Sequence, residues 1–435
     1  YRKNSKAGFL TESRNIYSYH YRKYIKLSRM ESKDKQTIIN EALGEFLHVM
    51  MWRRHLHAHP ELSFQEEHTS KFIAETLRHD DIEYTRIAGT GILAKIEGTG
   101  RAMAGDKDAV VLRADIDALP INETAEVDYA SCVPGVMHAC GHDFHTAILL
   151  GALRILQHHR DLFGGTVFGL FQPGEEKNPG GASLVLEEDP FRGYDIKAFI
   201  GEHVEPMMQT GMFGFRKGKY MASSDELRFT VHGTGGHAAM RDKIKDPVLA
   251  AAKFIEAIHA IPAEHSEKEF PTIVSIGKVI AEGATNIVPE EVYMEGTMRT
   301  FDEQWRAGLK EIIRCKAAGI GSEAGVDIKV DISEGYPPVY NDKELTATVV
   351  EATKTLFGEE AIVKLGLRPS SEDFGFYSQK YPSVYYRLGV GGAGEYFDKG
   401  KAGRIHTAGF RPDEKALGYG VVQFINIVFT LLGGE

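Results

Sequence analysis

Cysteine and long apolar runs are both scarce in this sequence of 435 residues. Three cysteines, Cys132, Cys140 and Cys315, are too few for a disulfide framework and indicate a reducing compartment. The apolar runs are well short of the ~20 residues that a membrane-spanning helix needs. The start of the chain is basic and rich in tyrosine without an apolar stretch, so it does not resemble a secretory signal. We therefore expect a soluble, cytoplasmic protein with no membrane partner.

Positive charge is also in the minority, because 51 lysines and arginines are outnumbered by 61 aspartates and glutamates. The formal net charge of −10 repels polyanions, so we expect no nucleic-acid partner. Hydrophobic residues make up 43% of the chain and charged residues 26%, which is typical of globular proteins and excludes disordered, collagen-like and coiled-coil classes. A chain of this length predicts one or two domains with sizeable cores.

Hydrophobic periodicity predicts an α/β fold. Apolar residues at every third or fourth position predict a helix over 35–55, and short stretches rich in β-branched residues predict strands over 110–114 and 166–171. A predicted helix over 146–158 separates these two strands. Alternation of this kind is typical of a mixed, partly parallel sheet with helices on both faces.

The order of predicted elements changes to βαββαβ between residues 224 and 333. That order is typical of a compact sheet covered by two helices. We interpret the segment as a smaller lid domain, inserted into a catalytic domain whose two parts are residues 35–223 and 334–435. Residues 1–34 are predicted to be a disordered N-terminal extension.

Side chains that can bind metals follow several of the predicted strands or lie in the loops between them. Because ligands of open α/β sheets gather at the carboxyl ends of the strands, we expect these side chains to form one site. They are Asp115, Asp117, Cys140, His142, Glu175, Glu176 and His203.

The combination of thiolate, imidazole and carboxylate donors predicts a transition metal. Mg²⁺ and Ca²⁺ prefer oxygen ligands, so Mn²⁺, Zn²⁺ or Co²⁺ is favoured. Glu175 and Glu176 are adjacent on a Pro-Gly turn, and neighbouring side chains point in different directions. One can therefore bind metal while the other takes protons from the attacking water.

Several different short motifs follow one another between about residues 52 and 417. They are RADIDALP at 113–120, MHACGHD at 137–143, PGEE at 173–176, GEHV at 201–204, GGHAA at 235–239, NIVP at 286–289, GTMRTF at 296–301 and SEDF at 371–374, followed by a histidine at 406. In this order the chain resembles the M20 family of metal-dependent amidohydrolases, in particular the branch that holds aminoacylases, hippurate hydrolases and auxin-conjugate hydrolases. Each motif alone is weak, but the combination is highly specific.

The resemblance implies a two-metal centre with Glu175 as the general base. Asp115 or Asp117 would orient a ligand imidazole from behind it. The implied ions are two divalent transition metals, with Mn²⁺ first and Zn²⁺, Co²⁺ or Ni²⁺ as alternatives. The implied ligands are Cys140, His142, Glu176, His203 and His406.

The resemblance also implies a substrate and an assembly. The substrate would be an N-acyl amino acid or a related small conjugate, hydrolysed at its amide bond. In the lid domain, His237 would help to hold the oxyanion, and Asn286 and Arg299 would bind the substrate carboxylate. A homodimer through the lid domain is implied, although Met240-Arg241-Asp242 departs from the family's usual continuation of GGHAA.

Two alternatives stay open. One is a dipeptidase or exopeptidase that uses the same site. The other is a catalytically silent homologue that binds a ligand or partner, and the intact Glu175 disfavours it.

Overall fold

The computed structural model describes residues 33–100, 105, 107–265 and 270–433. The chain forms two compact units. The second comprises Lys219–Val339 and Leu367–Phe376, and the first comprises the remaining described residues. The predicted extension over 1–34 lies outside the described residues as far as residue 32, and a helix already begins at Lys33.

An eight-stranded mixed sheet forms the centre of the first unit. Across the sheet the strands are β1 (Glu83–Ile87), β2 (Gly91–Glu97), β4 (Thr166–Gln172), β3 (Asp108–Asp115), β5 (Asp195–Glu205), β16 (Ser383–Gly389), β6 (Phe213–Phe215) and β15 (Ile362–Lys364). The pairs β3–β4, β3–β5, β5–β16 and β6–β15 are parallel, whereas β1–β2, β2–β4 and β6–β16 are antiparallel. Two further short strands, β7 (Gly218–Met221) and β14 (Val339–Asn341), each contain residues of both units.

Side chains cover both faces of this sheet. On β5, Ala198 and Ile200 belong to the main core, whereas Phe199 stacks on Tyr377 with ring centroids 4.1 Å apart and contacts Phe191. This alternation follows from the two-residue period of a strand.

Most of the described helices belong to this unit. They are α1 (Lys33–Gly44), α2 (Phe46–Ala58), α3 (Glu67–His79), α4 (His142–His158), α5 (Gly181–Glu187), α9 (Lys343–Phe357), α11 (Glu395–Asp398) and α12 (Ala416–Leu432), while α10 (Gly375–Lys380) begins in the second unit's segment.

The single helix predicted over 35–55 is wrong in one respect, because the chain turns at Glu45 and separates α1 from α2. Gly44 precedes the turn, and glycine is a poor helix former. The amide of Glu45 is shared between the carbonyls of Glu41 and Ala42, at 3.1 and 3.2 Å, so the helix tightens there before it resumes.

The second unit contains a four-stranded antiparallel sheet with its own core. Along β8 the buried side chains alternate with partly exposed ones, so that Leu227, Phe229 and Val231 face the core. The elements in chain order are β8 (Asp225–His232), β9 (Gly236–His237), α6 (Pro247–His259), α7 (Ile261–Glu264), β10 (Ile273–Ile280), β11 (Ile287–Val288), β12 (Glu291–Arg299), α8 (Glu303–Ala324) and β13 (Asp327–Glu334). The sheet order is β10–β12–β8–β13. Every helix in the described part of the chain is too short or too polar to cross a lipid bilayer.

Candidate metal centre

The five side chains implied as metal ligands lie together in the first unit. Cys140 Sγ is 3.3 Å from His203 Nε2 and 3.2 Å from His406 Nε2. Glu176 Oε1 is 3.3 Å from His406 Nε2 and 3.9 Å from His142 Nε2. Two groups of donor atoms, each within 4.8 Å of one another, share Cys140: one with His142 and His203, the other with Glu176 and His406. The arrangement therefore offers two overlapping metal positions.

Gly141 places Cys140 and His142 on either side of a sharp turn. Its φ of 85° is left-handed, and a Cβ there would lie 2.6 Å from Val204 Cγ2. Only glycine meets both conditions without strain. Helix α4 begins at His142 directly after the turn, so the backbone aims the thiol and the imidazole at one point.

The turn after β4 carries the two adjacent glutamates. Gly174 has a φ of 60°, and its amide donates to Glu66 Oε1 at 2.9 Å. The amide of Glu176 donates to Asp117 Oδ2 at 3.0 Å. Glu175 is 7% exposed and forms a third donor group with His142 and Glu176. The two carboxylates are thus held at the same edge of the sheet by backbone hydrogen bonds.

His203 lies within a strand rather than beyond its end. Strand β5 continues through His203 to Glu205 because β16 pairs with it up to Gly389. His203 Nδ1 donates to the carbonyl of Val204 at 2.7 Å. This fixes the proton on Nδ1 and leaves the lone pair of Nε2 facing Cys140.

His406 comes from a loop in the second half of the sequence. Its φ of 60° is left-handed, and its amide donates to the carbonyl of Ala139 at 2.8 Å, which ties the loop to the Cys140 turn. The side chains of His406 and Glu176 are 50% and 12% exposed, whereas Cys140, His142 and His203 are buried. His406 therefore marks an open side of the donor cluster within this unit.

Asp117 supports His142 from behind. Its Oδ1 accepts from His142 Nδ1 at 3.1 Å, and its Oδ2 accepts from the hydroxyl of Ser63 at 2.7 Å. A proton held on Nδ1 leaves Nε2 free to bind a metal. Asp115 has a different position, because its Oδ2 contacts Arg113 at 2.5 Å and lies 3.7 Å from His142 Nε2.

His145 is a functional candidate that our sequence reasoning missed. Its Nδ1 is 2.5 Å from Asp115 Oδ1, and its Nε2 accepts the amide of Val204 at 3.0 Å. Its ring centroid lies 4.9 Å from that of His203. The signal was present in the sequence, because His145 follows His142 by three residues and so lies on the same face of α4.

Burial and neighbouring charges shift the pKa values of three candidate ligands in the cluster. Burial strongly raises the pKa of the Cys140 thiol, and Glu176 and Glu175 raise it further. Burial opposes the charging of His142, but Asp115 and Asp117 outweigh it and raise its pKa to about 10. Burial, followed by Arg387, depresses the pKa of His203. Divalent cations would stabilise the thiolate and the buried carboxylates and would displace the proton from His142.

Orphaned polar atoms point to the same conclusion. His142 Nε2 and Glu176 Oε1 are buried without a hydrogen-bond partner among the described residues. Leaving such atoms unsatisfied is unfavourable, and both are turned toward the shared donor cluster. The residues present therefore fit two divalent metal ions.

Three implied substrate residues lie in the second unit. His237 is in β9, which pairs with β11, and the carbonyl of Asn286 accepts the amide of Ala238 at 2.9 Å, so His237 and Asn286 are neighbours. His237 Nδ1 accepts the amide of Ala239 at 3.2 Å, which leaves the proton of the neutral ring on Nε2. Arg299 ends β12, and its Nη1 is buried without a hydrogen-bond partner among the described residues.

Comparison with known proteins assigns the chain to a class. Residues 111–409 match the model of peptidase family M20/M25/M40. The N-acetylcysteine deacetylase of Bacillus subtilis (strain 168) is 35% identical over 382 residues, which cover 87% of this chain and 96% of that protein. The N-acyl-L-amino acid amidohydrolase of Geobacillus stearothermophilus is 38% identical over 299 residues, which cover 68% of this chain and 78% of that protein.

A solved structure from the same family is also similar to this chain. The YXEP protein of Bacillus subtilis, described as a dinuclear metal binding peptidase from the M20 family, is 33% identical with a TM-score of 0.74, and the match covers 89% of this chain and 98% of that chain. The chain belongs to peptidase family M20/M25/M40. The family resemblance, the mixed α/β fold and the hydrolase class are thereby confirmed.

Proposed function

We propose that this protein hydrolyses the amide bond of small N-acyl amino acids, with Glu175 as the general base. The observation that carries the proposal is the convergence of the Cys140, His142, Glu176, His203 and His406 donors beside Glu175. The printed activities of the deacetylase and amidohydrolase relatives support the substrate class.

In this proposal the five ligands hold two divalent ions and Glu175 moves the proton. When bound, such ions would supply Lewis-acid polarisation of the scissile carbonyl and would make water acidic enough to attack at neutral pH. Glu175 takes the proton of the attacking water and delivers it to the leaving amine. Its near-complete burial and its place in a donor group with His142 and Glu176 support this role.

The second unit supplies the substrate contacts in this proposal. His237 donates from Nε2 to the developing oxyanion, a contact that is typically worth ~10²–10³ in rate. Arg299 binds the substrate carboxylate with the help of Asn286. Arg299 Nη1 supports this role, because this buried donor has no hydrogen-bond partner among the described residues and an anionic acceptor would satisfy it.

The finer assignments are also proposals. We propose Mn²⁺ as the first choice of metal, with Zn²⁺, Co²⁺ and Ni²⁺ as alternatives, and a cytoplasmic location. We propose a homodimer through the second unit, supported by the exposed apolar side chains of Met240, Val248, Leu249 and Ile287. Sedimentation analysis of Leu249→Asp tests the dimer, because a charge in an apolar interface would favour the monomer.

Replacing Glu175 by glutamine tests the proposed chemistry. The variant removes the base but keeps the side-chain size, so we expect turnover of N-acetyl and N-benzoyl amino acids to fall at least ~10²-fold while the metal content is unchanged. Glu187→Gln, at an exposed position on α5, is the matched control and should retain full turnover. A Glu175→Gln variant that keeps wild-type turnover would contradict the proposal. Free dipeptides in the same assay would reveal a dipeptidase.

A further inference from the structure

The first unit contains a cavity of about 730 Å³ whose lining includes none of the five candidate metal ligands. Cavities of 300–1,000 Å³ are typical of small-molecule sites. The segment that leaves His406 reaches this cavity within five residues, because Arg411 is part of its lining. The cavity thus lies along the loop that carries one candidate ligand, but it is a separate space.

The wall of the cavity combines polar surface with a similar amount of apolar surface, much of it aromatic. Tyr129, Met212, Phe357, Tyr396 and Tyr419 contribute to it. The Tyr129 ring contacts two cations, because the guanidinium carbons of Arg53 and Arg54 lie 4.6 and 4.7 Å from its centroid. Such a wall favours a ligand with a flat or branched apolar body.

The carboxylates of the cavity near the start of α12 already have partners. Glu414 accepts from Arg54 Nε and Nη2 at 2.8 and 2.6 Å. Asp413 Oδ2 accepts from the hydroxyl of Thr210 at 2.9 Å. Arg54 therefore balances the charge of Glu414, whereas the Thr210 hydroxyl orients Asp413 without neutralising it.

Arg411 differs from them. Its backbone is fixed, because its amide donates to the carbonyl of Ala402 at 2.8 Å and its carbonyl accepts from the hydroxyl of Tyr396 at 2.9 Å. Arg411 is exposed, and its guanidinium forms no hydrogen bond or ion pair with any residue of the described ranges. An unpaired guanidinium beside aromatic rings is a suitable partner for a carboxylate.

We propose that this cavity is a second small-molecule site, which binds a small carboxylate with an apolar or aromatic body. The carboxylate pairs with Arg411, and the body packs against Tyr129, Tyr396 and Phe357. The proposal does not depend on the reaction at the metal centre, because the two sites share no residue.

The test counts bound probe on the metal-loaded protein. Equilibrium dialysis with radiolabelled phenylacetate is carried out on wild type, Arg411→Ala, and Ala393→Trp, which keeps the cation but fills the cavity. Lys401→Ala, an exposed cation outside the cavity lining, is the matched control. Phenylacetamide, which has the same body without the charge, is the competitor.

We expect wild type and Lys401→Ala each to bind one equivalent of phenylacetate in the cavity. Arg411→Ala should bind this equivalent about tenfold more weakly or worse, and Ala393→Trp should not bind it. Phenylacetamide should compete poorly for that equivalent. Unchanged hydrolysis by Arg411→Ala and unchanged thermal unfolding of both variants would show that they are folded. The proposal is overturned if all four proteins bind the same number of equivalents with the same affinity, if wild type shows no saturable binding beyond that of Arg411→Ala, or if phenylacetamide competes as well as phenylacetate.

Discussion

Replacing Asp117 by asparagine should weaken metal binding without touching a candidate ligand. In the structure the Asp117 carboxylate accepts three hydrogen bonds, from His142 Nδ1 at 3.1 Å, Ser63 Oγ at 2.7 Å and the Glu176 amide at 3.0 Å. An asparagine has one oxygen and one NH₂ group, so it cannot accept from all three. If its oxygen serves Ser63 and Glu176, its NH₂ group meets His142 Nδ1.

That exchange reverses the proton position on His142. An NH₂ donor favours a bare Nδ1 and moves the ring proton to Nε2, the atom that faces Glu176. Loss of such a supporting carboxylate typically lowers metal affinity ~10–100-fold, or about 1.4–2.7 kcal/mol. Asp128→Asn, at an exposed position, is the matched control.

Competition against a chromophoric chelator measures this change directly. Ser63→Ala removes a single neutral donor to Asp117 and should weaken metal binding by a smaller factor than Asp117→Asn. If Asp117→Asn binds metal as tightly as wild type, the argument is refuted, because metal binding would then not depend on Asp117 holding the His142 proton on Nδ1.

Two further predictions concern stability. Asp225→Ala leaves the buried Arg306 without the carboxylate that it contacts through two hydrogen bonds of 2.7 and 2.8 Å. The unfolding free energy of the second unit, measured by urea titration, should therefore fall by ~3–5 kcal/mol. The control is Glu303→Ala, which removes the exposed partner of Arg306 and should change this free energy by less than ~1 kcal/mol. Glu61 is partly buried, which raises its pKa, but the Thr69 amide and His68 outweigh this and lower it. The contribution of Glu61 to the stability of the fold is therefore present above the unfolded pKa of ~4.3 and lost as pH falls through the lower folded pKa. Glu61→Gln should lower the unfolding free energy by about 1 kcal/mol at pH 7, and this difference from wild type should vanish in acid. An equal difference at both pH values would contradict this.

The site was largely predictable because short motifs carry most of it. The motif that contains Cys140 and His142 is a single turn whose geometry depends on Gly141, and the Pro-Gly-Glu-Glu turn is equally local. We could expect the two turns at one edge of the sheet because ligands of open α/β sheets gather at the carboxyl ends of the strands. The roles of the individual side chains stay predictions until they are measured.

Other features depend on pairing between distant residues, which periodicity does not reveal. Strands β6 and β15 have three residues each and exist because they pair with each other and, for β6, with β16. The same holds for the extension of β5 through His203, which depends on β16. His145 was missed for a different reason, because a histidine inside an apolar helix resembles an ordinary core residue until its partner Asp115 is located.

Metal analysis of wild type and Cys140→Ala tests the central claim most directly. Cys140 belongs to both donor groups, so its loss affects both metal positions. The account predicts close to two divalent ions per wild-type chain and fewer than two, more weakly held, in Cys140→Ala, with catalysis lost in parallel. Two tightly bound ions per chain in Cys140→Ala, or none in active wild-type protein, would contradict it.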